Sequence, residues 1–179
     1  MRPFHRRFGK YSASFEPAEA SLIADLVDQI RQLLADRRAE APTDPLAQLT
    51  GMTMGPNSKP ADPAVARLLP DFHADDAQLS SGLRELHEPE LIAAKDAAAV
   101  KLLDSLPRGG GPVRLDDEAA AAWMAALNDV RLALGVRLGV TDDFEEVGNG
   151  INPADPRAAY VWVYHWLAYL QESLVEALS

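Results

Sequence analysis

The chain contains no cysteine. It can therefore form no disulfide, present no thiolate nucleophile and hold no metal through sulfur. No apolar run approaches the roughly 18 residues that a membrane-spanning helix needs. The opening MRPFHRRFGKY is basic but no apolar segment follows it, so it does not read as a secretory signal. These absences give a cytoplasmic expectation with no membrane partner. Catalytic signatures are missing as well: there is no HExxH, no GxSxG and no GxGxxG. The glycines of Arg108 to Pro112 mark a turn, not a phosphate loop, because no Gly-Lys-Ser/Thr follows. With no nucleophile beside a base, the expectation is a protein that is not an enzyme and needs no cofactor or metal.

What is present is ordinary for a folded protein. With 179 residues, 47% apolar and 25% charged, the chain suits one domain with a substantial core. The charge is unevenly placed. Residues 1–10 carry Arg2, Arg6, Arg7 and Lys10 and no acid, so a net charge of −10 overall leaves −14 on the rest. Such an arm can attract nucleic acid, whereas the body repels it, so DNA contact is a candidate role without tight binding by the isolated protein.

Helical signals dominate. Leu22, Ile23, Leu26, Val27, Ile30, Leu33 and Leu34 recur at helical spacing, which predicts a helix from about Pro17 to Arg38. Asp-Pro occurs at 44–45, 62–63 and 155–156, each an aspartate cap followed by a proline suited to the first turn. The first two predict short helices closed by Gly51 and Pro70, and the third the last helix, to about Ala177. A helix from Asp76 to about Leu106 should be broken or kinked at Pro89. The longest helix is expected from Leu115-Asp116-Asp117-Glu118 to about Val140, with acids at its positive end. A loop from Thr141 to Ala154 follows. Arg2 to Glu16 alternates weakly around a turn at Gly9, and Val113–Leu115 could pair with it. The expected fold is mainly α, a single-domain helical bundle over 1–179. Residues 1–15 form a basic aromatic arm or small β-hairpin, and residues 16–179 the helical body.

Three groups are candidate sites. On the long helix, Leu127, Arg131, Leu134 and Leu138 fall within about 60° of one another, placing an arginine in the apolar stripe. Such a guanidinium needs a carboxylate, for which Glu172 and Asp71 are candidates, or an anionic ligand held with Asn128 and Gly135. Asp71, His73, Asp75 and Asp76 invite a metal reading, but their place before a helix fits caps better. On the last helix, Tyr160, Val163, Tyr164, Leu167, Leu174, Val175 and Leu178 make one apolar stripe. Trp162, His165, Trp166 and Tyr169 make a second, which either lies in the core or forms a homodimer interface.

FEPAEASLIADL, DPAVARLLPDF, ALNDVRLALGVRLGV and the C-terminal YVWVYHWLAYLQESLVEAL together resemble an actinobacterial domain-of-unknown-function family, number twenty-seventeen. The resemblance runs from Phe15 to Leu178. It implies a cytoplasmic regulatory protein, since members are described as transcriptional regulators of the oxidative-stress response. Without cysteine, a direct thiol switch is out of reach, so any signal must arrive through a ligand, a protein partner or abundance. No basic recognition helix of the helix-turn-helix kind is evident. Two expectations follow: a non-enzymatic regulator acting through protein contacts and DNA, or a small-molecule sensor binding an anion near Arg131.

Overall fold

The computed structural model describes residues 1–42, 54–140 and 155–179. The proposed helix after Asp44 and the loop Thr141 to Ala154 lie outside the described residues. The elements are β1 (Arg2–Arg7), β2 (Lys10–Phe15), α1 (Pro17–Ala39), α2 (Pro63–Leu68), α3 (Ala77–Ser105), β3 (Gly111–Leu115), α4 (Asp117–Leu138) and α5 (Arg157–Leu178). The protein is mainly helical with one three-stranded antiparallel sheet, ordered β1-β2-β3. Both strand signals in the sequence are therefore real, and they meet: Ser12 pairs with His5 on one side and Arg114 on the other.

The hairpin turns in two residues, because Arg7 pairs with Lys10. Both central residues have positive φ, Phe8 at 50° and Gly9 at 71°, as a type I′ turn requires. Glycine adopts this freely, whereas phenylalanine is strained by it. At the other edge, a Cβ on Gly110 would lie 2.6 Å from the Pro17 nitrogen. Only glycine lets the chain pass the β2–α1 junction this closely and lay β3 beside β2.

Helix ends follow their caps. Glu16 and Glu19 form a capping box ahead of Pro17 on α1. Asp62, Asp76 and Asp116 accept backbone N–H groups at the starts of α2, α3 and α4, and Gly139 closes α4 in the left-handed conformation. The expected break at Pro89 does not occur, since α3 runs continuously through it. Proline there leaves the Glu85 carbonyl without its helical donor, and the Gly55 N–H fills that role at 2.8 Å. Gly55 has no side chain to spare, because a Cβ would sit 3.0 Å from the Pro89 ring.

The core closes between sheet and helices. Tyr11, Ala13, Phe15, Val113 and Leu115 point inward and are buried. Trp123 of α4 is fully buried, stacked on Phe15 at 5.7 Å and edge-on to Phe4 at 5.5 Å. Its indole Nε1 donates to Ser105 Oγ at 2.7 Å. The α5 helix packs on β1 and α4, and the Phe4 N–H donates to Ser173 Oγ at 3.2 Å. The first strand is thus part of the core, not a detachable arm.

Candidate functional site

The outer face of the sheet collects the basic residues. β2 turns Tyr11, Ala13 and Phe15 inward, so Lys10, Ser12 and Ser14 face out, and in β3 the same alternation turns Pro112 and Arg114 out. Register places His5 beside Ser12, Arg7 beside Lys10 and Arg2 beside Ser14. An irregularity between Arg2 and His5 keeps both on the outer face while Phe4 turns in. The result is a shallow groove of about 560 Å³, lined by Arg2, Arg7, Lys10 and Arg114 among others, with no carboxylate in its lining. Lys10 has a loose pairing with Asp116 at 3.9 Å. Arg2, Arg7 and Arg114 make no ion pair with any described residue. At the hairpin tip Phe8 is 92% exposed, with the Arg7 guanidinium 5.4 Å from its ring.

Three of the four arm cations expected from sequence, Arg2, Arg7 and Lys10, share this face. Arg6 pairs with Tyr11, which in turn pairs with Leu115, so it belongs to the opposite side of the sheet while remaining exposed at its end. Arg114 was missed. It lies about a hundred residues away in sequence, and only the strand register brings it beside Ser12.

Arg131 is half-buried, not enclosed, and has no carboxylate partner among the described residues. Its Nη1 donates to Gln171 Oε1 at 2.5 Å, and its guanidinium lies 5.5 Å from the Tyr164 ring centroid. Neither proposed acid serves it: Glu172 is exposed and Asp71 binds Arg84. The cause is the shape of the buried face of α4. Ala119, Ala120, Ala126 and Ala133 lie in the interior with Trp123, Leu127 and Val130, because small residues let neighbouring helices approach closely. Weighting the large apolar residues therefore turned the expected face toward Arg131. Asn128 is exposed and Gly135 buried, and both line one cleft with Arg131.

The enclosed charges are elsewhere. Glu88 is fully buried between Arg37 and Arg84. It accepts from Arg37 Nε at 2.7 Å and from Arg84 Nη1 at 2.6 Å. Arg37 also reaches Glu40 and the Ser58 carbonyl, and Arg84 reaches Asp71 at 2.8 Å and the Leu69 carbonyl. Burial lowers the Arg37 pKa, but the hydrogen bonds it donates to Glu88 and Glu40 outweigh that and raise the value overall. With these donors engaged, the cluster ties α1 to α3 and to the residues after α2. A second buried pair joins Lys95 to Asp129 at 2.6 Å. Burial pushes the Asp129 carboxyl above its ordinary range despite Lys95. Of the PDFHADD group Asp76 alone acts as the expected cap, on α3, with its own N–H donating to His73 Nδ1 at 3.0 Å, whereas Asp71 pairs with Lys59 and Arg84.

On α5 the second aromatic stripe divides. Trp166 is only 9% exposed and belongs to the core, which removes it from any surface strip. Trp162 is 60% exposed and stacks on Trp166 with ring centroids 6.1 Å apart. Tyr169 and His165 are also exposed. Of the first stripe, Tyr164, Leu167 and Leu174 are buried, whereas Tyr160, Val175 and Leu178 are exposed. No helix among the described residues is long and apolar enough to cross a membrane.

The family model described as "Domain of unknown function (DUF2017)" matches residues 1–178. The protein named "Oxidative stress regulator AosR" from Mycobacterium tuberculosis (strain ATCC 25618 / H37Rv) is 41% identical over 94% of this chain and 82% of its own length. A protein of the same name from Mycobacterium bovis (strain ATCC BAA-935 / AF2122/97) is similar to the same extent. No solved structure matches the chain. The chain belongs to the DUF2017 family.

Proposed function

We propose, with that family membership as the premise, that this protein is a non-enzymatic regulator of the oxidative-stress response that contacts duplex DNA through the outer face of its sheet. The observation that carries the reading is a carboxylate-free face bearing four cations on a protein whose remaining charge is strongly negative. The guanidinium groups of Arg2, Arg7 and Arg114 meet phosphates with no ion pair to any described residue, and Lys10 has only its loose contact with Asp116. Three strands at about 4.8 Å spacing span about 10 Å, close to the roughly 12 Å width of a B-form major groove. Phe8 adds an aromatic side chain at the leading tip, where apolar rings contact thymine methyls or wedge into base steps. The names of the mycobacterial relatives favour regulation over catalysis.

Self-association is the second part of the reading. Trp162 and Tyr169 leave large aromatic surfaces in water on one side of α5, and aromatic side chains are favoured at interface centres. A two-fold pairing across Trp162, His165 and Tyr169 would present two copies of the basic sheet.

The test is the salt dependence of binding to a labelled duplex, read by fluorescence anisotropy with the intact protein. Four phosphate contacts give a slope of log affinity against log salt of about −3.6, so a fourfold rise in salt weakens binding about 150-fold. The double variant Arg7→Gln/Arg114→Gln should bring the slope to about −1.8 and the loss to about 12-fold. Both side chains are exposed and form no ion pair with any described residue, so the double variant is expected to stay folded. An unchanged slope in the double variant, or no binding by the wild type at about 20 mM salt, refutes the sheet as the DNA contact. Deleting residues 1–10 is not a clean alternative, because it removes the buried Phe4 from the core.

A further inference from the structure

A second site stands on the α4 face away from the sheet. Between α2, α4 and α5 lies a cleft of about 300 Å³ lined by Arg67, Asn128, Arg131, Gly135, Tyr164 and neighbouring aliphatic residues. That is the lower end of the range for small-molecule sites. Among the described residues two arginines line it and no carboxylate does. Arg67 is exposed and forms no ion pair with any described residue.

Arg131 is the informative member. Gln171 takes Nη1, and Tyr164 packs near the guanidinium plane. The Nε atom is buried and has no hydrogen-bond partner among the described residues. Buried donors of native proteins are nearly always satisfied, and an unsatisfied one on a charged group is costly. Nε and Nη2 form the edge of a guanidinium that grips an oxyanion through two parallel N–H···O bonds. Gln171 is neutral, so it fixes the orientation of Arg131 without cancelling its charge.

We propose that this cleft binds a small organic oxyanion, a carboxylate or phosphate group on a compact apolar body. Its charged end meets the Arg131 guanidinium, and Arg67 stands at the opening as the second cation. The apolar part lies against Leu132, Val136 and Tyr164, with Asn128 offering its side-chain amide at the rim. Such a ligand bridges three helices that are distant in sequence. This site is independent of the DNA-binding reading, and each can fail without the other.

The test uses the full chain with two probes, sodium benzoate and inorganic phosphate, against sodium chloride at equal ionic strength. Thermal melting is followed by an NMR titration of the amide signals. At a hundredfold excess over the dissociation constant, binding to the folded state raises Tm by about 5–10 °C for a chain of this size. Amide shifts are expected at Asn128 and Gly135. A response to benzoate identifies a carboxylate site and a response to phosphate a phosphoryl site. Arg67→Gln, which changes an exposed residue, should shift the titration midpoint at least several-fold. Arg131→Gln, which keeps a neutral donor beside Gln171, should abolish the response. The proposal is overturned if neither probe exceeds chloride, or if both variants respond as the wild type does.

Discussion

Replacing Phe8 by Asn should make the protein more stable and a poorer DNA binder. Phe8 occupies the left-handed region with φ 50°, which costs an ordinary L-residue roughly 1–2 kcal/mol. Asparagine tolerates that region, and Asn-Gly is a favoured pair for this turn. Little is lost in exchange, since the ring is 92% exposed and buries almost nothing. Its exposed contact with the Arg7 guanidinium is worth about 0.5 kcal/mol. The net gain is about 0.5–1.5 kcal/mol, or an increase in Tm of about 1–6 °C at this chain length. Binding should move the other way, because contact between an aromatic ring and a base contributes roughly 1–3 kcal/mol, about 5- to 150-fold in affinity. Urea or thermal unfolding of the full chain gives the first number, and anisotropy with the labelled duplex gives the second. A fall in Tm would show that the tip is not strained. Unchanged affinity would show that Phe8 does not touch the nucleic acid, and the strain would then lack the role assigned to it.

Glu88→Ala strands two buried guanidiniums and should cost about 3–5 kcal/mol, a drop of about 6–20 °C in Tm; a loss below about 1 kcal/mol would mean that the cluster rearranges freely. The carboxyl of Asp71 is held below its ordinary range by the hydrogen bond from Lys59 and the charge of Arg84, so its stabilisation is present above about pH 4 and lost as the pH falls through its lowered value. Asp71→Asn should therefore be less stable than the wild type at neutral pH, with the gap closing in acid; a gap that stays constant with pH contradicts the linkage. Trp162→Glu should keep the fold, because the side chain is mostly exposed, while shifting sedimentation toward monomer. A wild type that is monomeric at every concentration rules out self-association.

Much of the helical architecture was legible because it rests on local chemistry. Asp62, Asp76 and Asp116 are caps with a backbone job that any reader of Asp-Pro or of clustered acids can infer. The sheet was legible only as fragments, since the pairing of Ser12 with Arg114 depends on distant register. Pro89 does not break the helix because the hydrogen bond it removes is replaced from Gly55, more than thirty residues upstream. The buried network around Glu88 was invisible for a related reason. Glu88 sits one turn after Arg84 and looks like a surface pair, yet α1 brings Arg37 onto the same carboxylate. Arg131 drew attention because it stood among large apolar residues, whereas burial on α4 followed the alanines.

In the proposed DNA contact, screening sets how far the net negative body opposes the positive face. At about 0.01 M salt the Debye length is about 30 Å, so a phosphate facing the sheet also feels the carboxylates behind it. At about 0.15 M it is about 8 Å, shorter than the roughly 16 Å radius of gyration of a compact chain of this length. The near cations then act almost alone, but the direct attraction has itself fallen by the counterion effect. Neither regime gives tight binding, and a face of this size fits an affinity in the non-specific range, about 10⁻⁴–10⁻⁶ M. Recruitment resolves the difficulty. Tethering through a second copy of the chain or another DNA-bound protein raises the local concentration to about the millimolar range, which saturates such a site. On the proposed reading, the acidic body would keep the free protein off bulk DNA and confine the sheet to places where a partner has already docked.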